Sequence, residues 1–323
     1  MSLDVSTSVS FVSSVIPYTV PLLLGTLGEI MTERAGNLNL GVEGMMMMGG
    51  AFGYVAAVET NNPFLAMLIA CIGAMLGALI YAVLTVTLRT NQTVSGLALT
   101  IFGVGFANTL GKRVENAANP ERIGDFFSYH PFELSGSHGV LVDSINQALL
   151  SHDVFVYGSI LLAIIIYLFL RKTKPGLNLR LTGENPAAAE ASGVSVLRVK
   201  YIYILIGGAL CGLAGYYIPS CIHRSWTSDI VNGTGWIVVS LVIFVRWDPI
   251  KAILGSFVFG ALSYIGFTLQ QSELFSQFAF FNQYVMGMFP YVVTILVLII
   301  TGAKKNAWNG PGSMGIPYFR EER

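Results

Sequence analysis

Charge is what this chain has least of. Only 11% of its 323 residues are Asp, Glu, Lys or Arg, against about 25% in soluble domains. A soluble globular domain is excluded once several apolar runs near the ~20 residues of a membrane span are added. Cysteine is scarce too. Cys71, Cys211 and Cys221 lie in or near apolar segments with no pairing spacing, which points to small packing residues. His130, His138, His152 and His223 show no metal-ligand spacing and are expected to be solvated loop residues. There is no Ser/His/Asp arrangement, no HExxH and no evident pair of buried carboxylates. The phosphate-binding GxxxxGK[ST] loop is missing as well, so the chain cannot use ATP through that motif. No catalytic residue, metal ligand or cofactor is therefore assigned, and no nucleic-acid partner. The first basic residue is Arg34. Without a basic segment ahead of the first apolar run, that run is expected to be kept as a span rather than cleaved.

What the chain has in abundance is apolar sequence: 54% of residues are hydrophobic. It reads as an all-α polytopic membrane protein with about nine transmembrane helices. The spans are expected near Val12–Met31, Val42–Val58, Pro63–Leu88, Gln92–Gly111, Asp153–Leu170, Lys200–Pro219, Gly235–Trp247, Ile250–Leu269 and Tyr284–Thr301. The seventh is short for a full crossing, so it begins partway into the membrane or the polar stretch before it is also buried. Residues 1–323 form one transmembrane domain. Within it, 112–152 make a polar loop with five acids, 171–199 a basic loop and 302–323 a polar tail.

Basic residues set the orientation. With the N-terminus outside, fourteen fall inside: Arg34, Arg89, six in the 171–200 loop, Arg246, Lys251, Lys304, Lys305, Arg320 and Arg323. Four fall outside, at Lys112, Arg113, Arg122 and Arg224. The basic loop and the C-terminal tail are thus expected in the cytoplasm, with 112–152 on the far side. An internal echo accompanies this topology. Asn91-Gln92-Thr93-Val94-Ser95-Gly96 matches Asn282-Gln283-Tyr284-Val285-Met286-Gly287 at four of six positions, 191 residues apart. The two copies stand an odd number of spans apart, so they predict an inverted repeat with halves 12–111 and 200–301, as in many transport folds. Gly73-x-x-x-Gly77 and Gly208-x-x-x-Gly212 predict close helix packing.

Two polar stretches interrupt the apolar pattern. Thr32–Gly44 is rich in Asn and Gly and sits between two spans with almost no loop length. Non-helical backbone survives at membrane depth only if buried in protein or lining a wet cavity, and a helix start there offers free N–H donors. Asn37, Asn39 and Glu43 are therefore candidates for a substrate pathway. The competing reading is a tight cytoplasmic turn with Glu33 and Arg34 paired at the surface. Met45 to Met48 follow directly, and are expected to divide between lipid and bundle as adaptable filler. The repeat counterpart, Arg224–Trp236, contributes Trp226, Asn232 and Trp236. The tryptophans suit stacking on a planar ligand or anchoring at the interface.

The basic loop itself holds Gly183-Glu184-Asn185-Pro186, three alanines, Glu190 and Gly193. Pro186 suits a first helical position, the alanines favour helix, and Gly193 suits a stop. A short helix of about two turns is expected there.

Thr32-Glu33-Arg34-Ala35-Gly36-Asn37-Leu38-Asn39-Leu40-Gly41-Val42-Glu43-Gly44-Met45 resembles the ERxGxxNLGVEGMM signature of bacterial ABC-importer permeases of the simple-sugar and nucleoside branch. Gly96–Gly103, Gly183–Pro186 with its alanines, Gly235-Trp236-Ile237 through Leu241–Phe244 to Trp247, and Gly315-Ile316-Pro317-Tyr318 follow in the same order. The likeness runs from about residue 17 to the C-terminus. It implies the shorter of two paired permeases in a bacterial cytoplasmic membrane, importing nucleosides, with purines favoured. Ribose or galactose is the alternative substrate class. It also implies three partners: an ATPase with two nucleotide-binding halves, a second homologous permease, and an external substrate-binding lipoprotein. By the same resemblance Gly183, Glu184, Asn185, Pro186, Ala188, Glu190 and Gly193 form a coupling helix against the ATPase. From a different class, the chain could be a stand-alone secondary transporter with Glu43 as a proton-coupling carboxylate.

Overall fold

The structure, a computed structural model, describes residues 5–115, 117–134, 139–271 and 310–319, with four further helical positions at 288, 292, 295 and 299. No strand occurs among the described residues. The helices are α1 (Val5–Arg34), α2 (Val42–Thr60), α3 (Pro63–Ala82), α4 (Gln92–Gly111), α5 (Glu121–Ser128), α6 (Val140–Ile145), α7 (Val154–Lys172), α8 (Lys174–Glu184), α9 (Pro186–Ala191), α10 (Val196–Tyr217), α11 (Thr234–Phe244) and α12 (Pro249–Gln271). π-helical turns extend α3 over Val83–Thr87 and α10 over Ile218–Ile222.

Local chemistry starts and stops these helices. Asn62 accepts from the backbone N–H groups of Phe64 and Leu65 with Pro63 just inside α3, Asn91 accepts from Val94 at the start of α4, and Asp153 accepts from Phe155 and Val156 at the start of α7. Each satisfies donors that a helix start leaves free. Among the described residues, five helical segments are long and apolar enough to cross a membrane: Ser8–Arg34, Pro63–Thr87, Gln92–Val114, Val154–Lys172 and Val196–Ile222. α11 has only 11 residues, about 16 Å of helix, roughly half of the ~30 Å hydrocarbon core. The ninth expected span and the Asn282–Gly287 echo lie outside the described residues. Only Met288, Val292, Ile295 and Ile299 are seen there, helical and exposed; their spacing places them on one helix face.

Small residues turn inward and large ones outward. In α3, Ala66, Ala70, Ala74 and Ala78 are fully buried, whereas Leu68, Ile72, Leu76 and Ile80 are exposed. This inverts the pattern of a soluble helix and is what a lipid-facing helix requires, since close backbone approach drives association in a bilayer. The predicted tight packing is present: a Cβ on Gly212 would sit 2.5 Å from the Ala70 carbonyl oxygen, and one on Gly208 would meet Ala78 at 2.4 Å.

α2 lies inside the bundle, packed by α3, α4, α10 and α11. The expected division of Met45 to Met48 between lipid and core is overturned, for all four are buried. Surrounded on every side, a helix has no lipid face to offer. The 112–152 segment is more than a polar loop. α5 buries Ile123 and Phe127, and Phe127 packs on Phe155 and Tyr217. His152 is not solvated either. It is 4% exposed, its Nε2 lies 3.0 Å from the Ala148 carbonyl oxygen, and burial lowers its pKa.

Candidate functional site

Between α1 and α2 the chain turns at Ala35-Gly36 and runs without helix from Asn37 to Gly41. Its backbone groups must find partners elsewhere. The Leu38 N–H donates to Gln92 Oε1 at 2.7 Å, the Tyr81 hydroxyl donates to the Leu38 carbonyl at 2.5 Å, and the Thr100 hydroxyl donates to the Leu40 carbonyl at 2.8 Å. Asn39 folds back to accept from the Gly41 N–H at 3.0 Å. Side chains of α3 and α4 thus replace a helix ladder. Asn37 and Asn39 are fully enclosed, at 0% and 1% exposure. A surface turn closed by a Glu33–Arg34 pair does not fit these contacts. Glu33 accepts from the Trp247 indole N–H at 2.5 Å, and the Arg34 guanidinium donates to the Trp247 carbonyl at 3.3 Å.

The sequence reading found no paired buried carboxylates, and the structure corrects it. Glu29 and Glu33 are both buried, four residues apart and so on one face of α1. Glu29 Oε2 accepts from Asn39 Nδ2 at 2.9 Å. Seven of the eleven buried side-chain atoms without a protein partner among the described residues cluster here: Thr26 Oγ1, Glu29 Oε1, Glu33 Oε1, Arg34 Nε, both polar atoms of Asn37 and Gln92 Nε2. Buried polar groups are nearly always paired. Such a concentration marks a polar interior rather than a sealed apolar core. Glu29 was legible only through its i,i+4 relation to Glu33; nothing local announces its burial.

Glu43 has a different job. Its two carboxylate oxygens accept from the Gly233 N–H at 2.8 Å and the Gly235 N–H at 2.6 Å, across the first turn of α11. The acid meets the positive end of a helix dipole and satisfies donors that would otherwise be free. The backbones are in contact there, since a Cβ on Gly235 would lie 2.5 Å from Glu43 Cα.

The second polar stretch does not converge on one point. Trp226 is buried to 1% against Gly111, where a Cβ would fall 2.0 Å from its indole, and beside Tyr54. Protein encloses Trp226 in this conformation. Asn232 is exposed with φ 46°, and Trp236 is half-buried.

Residues 11–298 match the family described as "Branched-chain amino acid transport system / permease component". The chain belongs to this permease family. Relatives of the permease carry different cargo in their names. The guanosine ABC transporter permease protein NupQ of Bacillus subtilis is 33% identical, with 98% of this chain and 99% of the relative covered. The nucleoside ABC transporter permease protein NupC of Lactococcus lactis is 30% identical with the same coverage. TsgC13 of Haloferax volcanii, provisionally named a glucose ABC transporter permease protein, is 31% identical over 86% of this chain and 87% of its own. The permease is thus a multi-pass transport subunit rather than an enzyme.

The permease's basic loop holds two helices, α8 and α9, where one was expected. Gly183 and Glu184 end α8, and α9 begins at Pro186 with Asn185 as its cap, accepting from the Ala188 N–H at 3.0 Å. At the other end Gly193, at φ +83°, closes a Schellman motif: the Gly193 N–H donates to Glu190 and the Val194 N–H to Ala189. Glu184, Asn185, Ala188 and Gly193 are exposed, and Pro186 and Glu190 are half-buried. Gly183 points the other way: a Cβ there would sit 2.2 Å from the Arg34 carbonyl oxygen. The described tail docks on the same corner. The Ser313 N–H and hydroxyl donate to the Gly183 carbonyl at 2.9 and 2.6 Å, and Tyr318 bonds Glu190.

Proposed function

We propose that this permease is the membrane-spanning subunit of an ATP-driven importer that moves nucleosides, purines foremost, into the cytoplasm by alternating access. The observation that carries the cargo is the near-complete match to two relatives named for guanosine and nucleosides. The glucose-named relative matches less of each chain, and sugars are the second reading. Energy comes from a partner ATPase with two nucleotide-binding halves. A second homologous permease completes the pathway, and an external lipoprotein delivers substrate. Nine spans, an outside N-terminus and an inverted repeat go with this reading, supported by the fourteen-to-four sorting of basic residues and by the half-length α11. In it Asn37, Asn39 and Glu43 govern the gate, with Glu29 and Glu33 added, while Asn232 and Trp236 flank the start of α11.

The exposed rim of α9, Glu184, Asn185, Ala188 and Gly193, meets the ATPase, while Gly183 anchors the loop from behind. Uptake tests the cargo directly. Cells lacking this permease should lose labelled guanosine uptake, keep ribose and galactose uptake, and recover on complementation. Loss of sugar uptake with guanosine uptake intact would transfer the assignment to sugars. Concentrative uptake by the purified chain alone under a proton gradient would remove the ATP-driven reading.

A further inference from the structure

The cytoplasm-facing end of the bundle, in the orientation proposed above, holds an open cavity of about 240 Å³ lined on its polar side by Arg34, Arg171, Arg180, Arg246, Lys251 and one acid, Asp248. We propose that this cavity binds the phosphate group of an anionic phospholipid, whose acyl chains lie along α7 and α12. Five cations line this space against Asp248, with Glu33 and Glu184 near Arg34; cations outnumber acids, and an added anion relieves their mutual repulsion.

Asp248 makes a single ion pair among them and lies near Arg34 as well. It pairs with Arg171 at 3.5 Å, and its other oxygen is committed to the backbone N–H groups of Ile250 and Lys251 at the start of α12. Arg34, Arg180, Arg246 and Lys251 have no ion-pair partner among the described residues. Arg34 Nε is also a buried donor with no protein partner. The neighbouring Arg246 and Trp247 sit at φ 56° and 54°, a backbone conformation that recurs at ligand clamps.

Size narrows the ligand. Pockets that enclose drug-sized molecules run to about 300–1,000 Å³; this one is smaller and has ample room for a phosphate group with part of its hydration. Surroundings narrow it further. α7 is the least buried of the five long spans, at 28%. Counting back from Arg171 by helical steps reaches Leu168 and Ile164, both exposed; counting forward from Lys251 reaches Leu254 and Val258, both exposed. Two apolar stripes therefore leave the basic cavity and run into the span, one on each of two helices that touch. The Arg171 guanidinium lies over the Tyr167 ring at 4.5 Å, an aromatic at the headgroup level. Basic pockets between helices at this depth suit acidic headgroups. A soluble phosphate needs the cations but not the stripes.

The test uses the full-length permease assembled with its partner subunits, stripped of lipid and offered phosphatidylglycerol or phosphatidylcholine under native mass spectrometry. Wild type should retain phosphatidylglycerol in preference. The exposed pair Arg180→Gln/Lys251→Gln should retain it roughly tenfold less, with phosphatidylcholine unchanged. Lys112→Gln/Arg113→Gln, on the other side, should bind like wild type and shows that the effect is local. Arg34 is left intact because it holds Trp247. Displacement of phosphatidylglycerol by millimolar inorganic phosphate upholds the phosphate site and assigns it to a soluble ligand. Equal retention of both lipids, or equal retention by wild type and the Arg180/Lys251 variant, overturns the proposal. So does protection of these residues by the ATPase alone.

Discussion

Glu43 shows how one side chain can join two distant segments. Its carboxylate takes two backbone N–H groups of α11, and hydrogen bonds to a charged group are worth roughly 1.5–3 kcal/mol each. Glu43→Leu should therefore lower stability by about 3–6 kcal/mol and abolish uptake, whereas Glu43→Gln, which keeps one acceptor oxygen, should fall between; thermal unfolding in detergent and uptake measure the two. Equal unfolding temperatures for Leu and wild type would end the capping account. Gly235→Ala should be harsher, because the added methyl meets α2 backbone rather than a movable side chain. His152 offers a pH handle. Burial places its folded pKa below its ordinary value, so the unfolded chain binds more protons once pH drops below about 6.5. The stability this confers is complete above that pH and is lost as pH falls through it. His152→Gln should flatten the fall in unfolding temperature between pH 7 and pH 5, with Asp153 and His130 as the charged neighbours that modulate it.

At the scale of elements, α9 is a platform held at both ends. Asn185 caps it and Gly193 stops it, while the tail grips it through Gly183 and Glu190. A cap is worth about 1 kcal/mol. Asn185→Ala should accordingly leave the permease folded but reduce the ATP hydrolysis stimulated by transport. Glu184→Lys and Ala188→Asp, on the exposed rim, should uncouple hydrolysis from uptake while membrane insertion stays normal. Normal coupled uptake in both would remove the docking role. α11 makes the complementary point: at 11 residues it cannot span alone, and the Glu43 contact fixes where it starts within the bundle.

For the whole molecule, orientation is the decisive quantity. In a variant lacking Cys71, Cys211 and Cys221, a cysteine at Ser192 should react with a membrane-impermeant thiol reagent only after the cells are opened. One at Ser228 should react in intact cells. The reverse pattern would invert the topology. Both positions are exposed in the permease, and labelling opened cells that lack the ATPase keeps Ser192 free of the proposed docking partner.

What the sequence determined alone acts over a few residues. The helix start at Pro186, the stop at Gly193 and the broken helix between Arg34 and Val42 were legible because a helix end must satisfy its own donors and acceptors locally. Tertiary structure decided which face each residue turns inward. Met45 to Met48 are all buried because α2 has neighbours on every side, and Trp226 is closed off by Gly111 from a distant helix. Gly183 faces Arg34 rather than outward, and Glu29 and Glu33 became a buried pair only when the 35–41 segment and Trp247 folded over them. None of this has a local signature, since burial depends on which elements pack together, some of them more than a hundred residues apart in the chain, and an i,i+4 pair of acids reads the same on a wet surface as in the heart of a bundle.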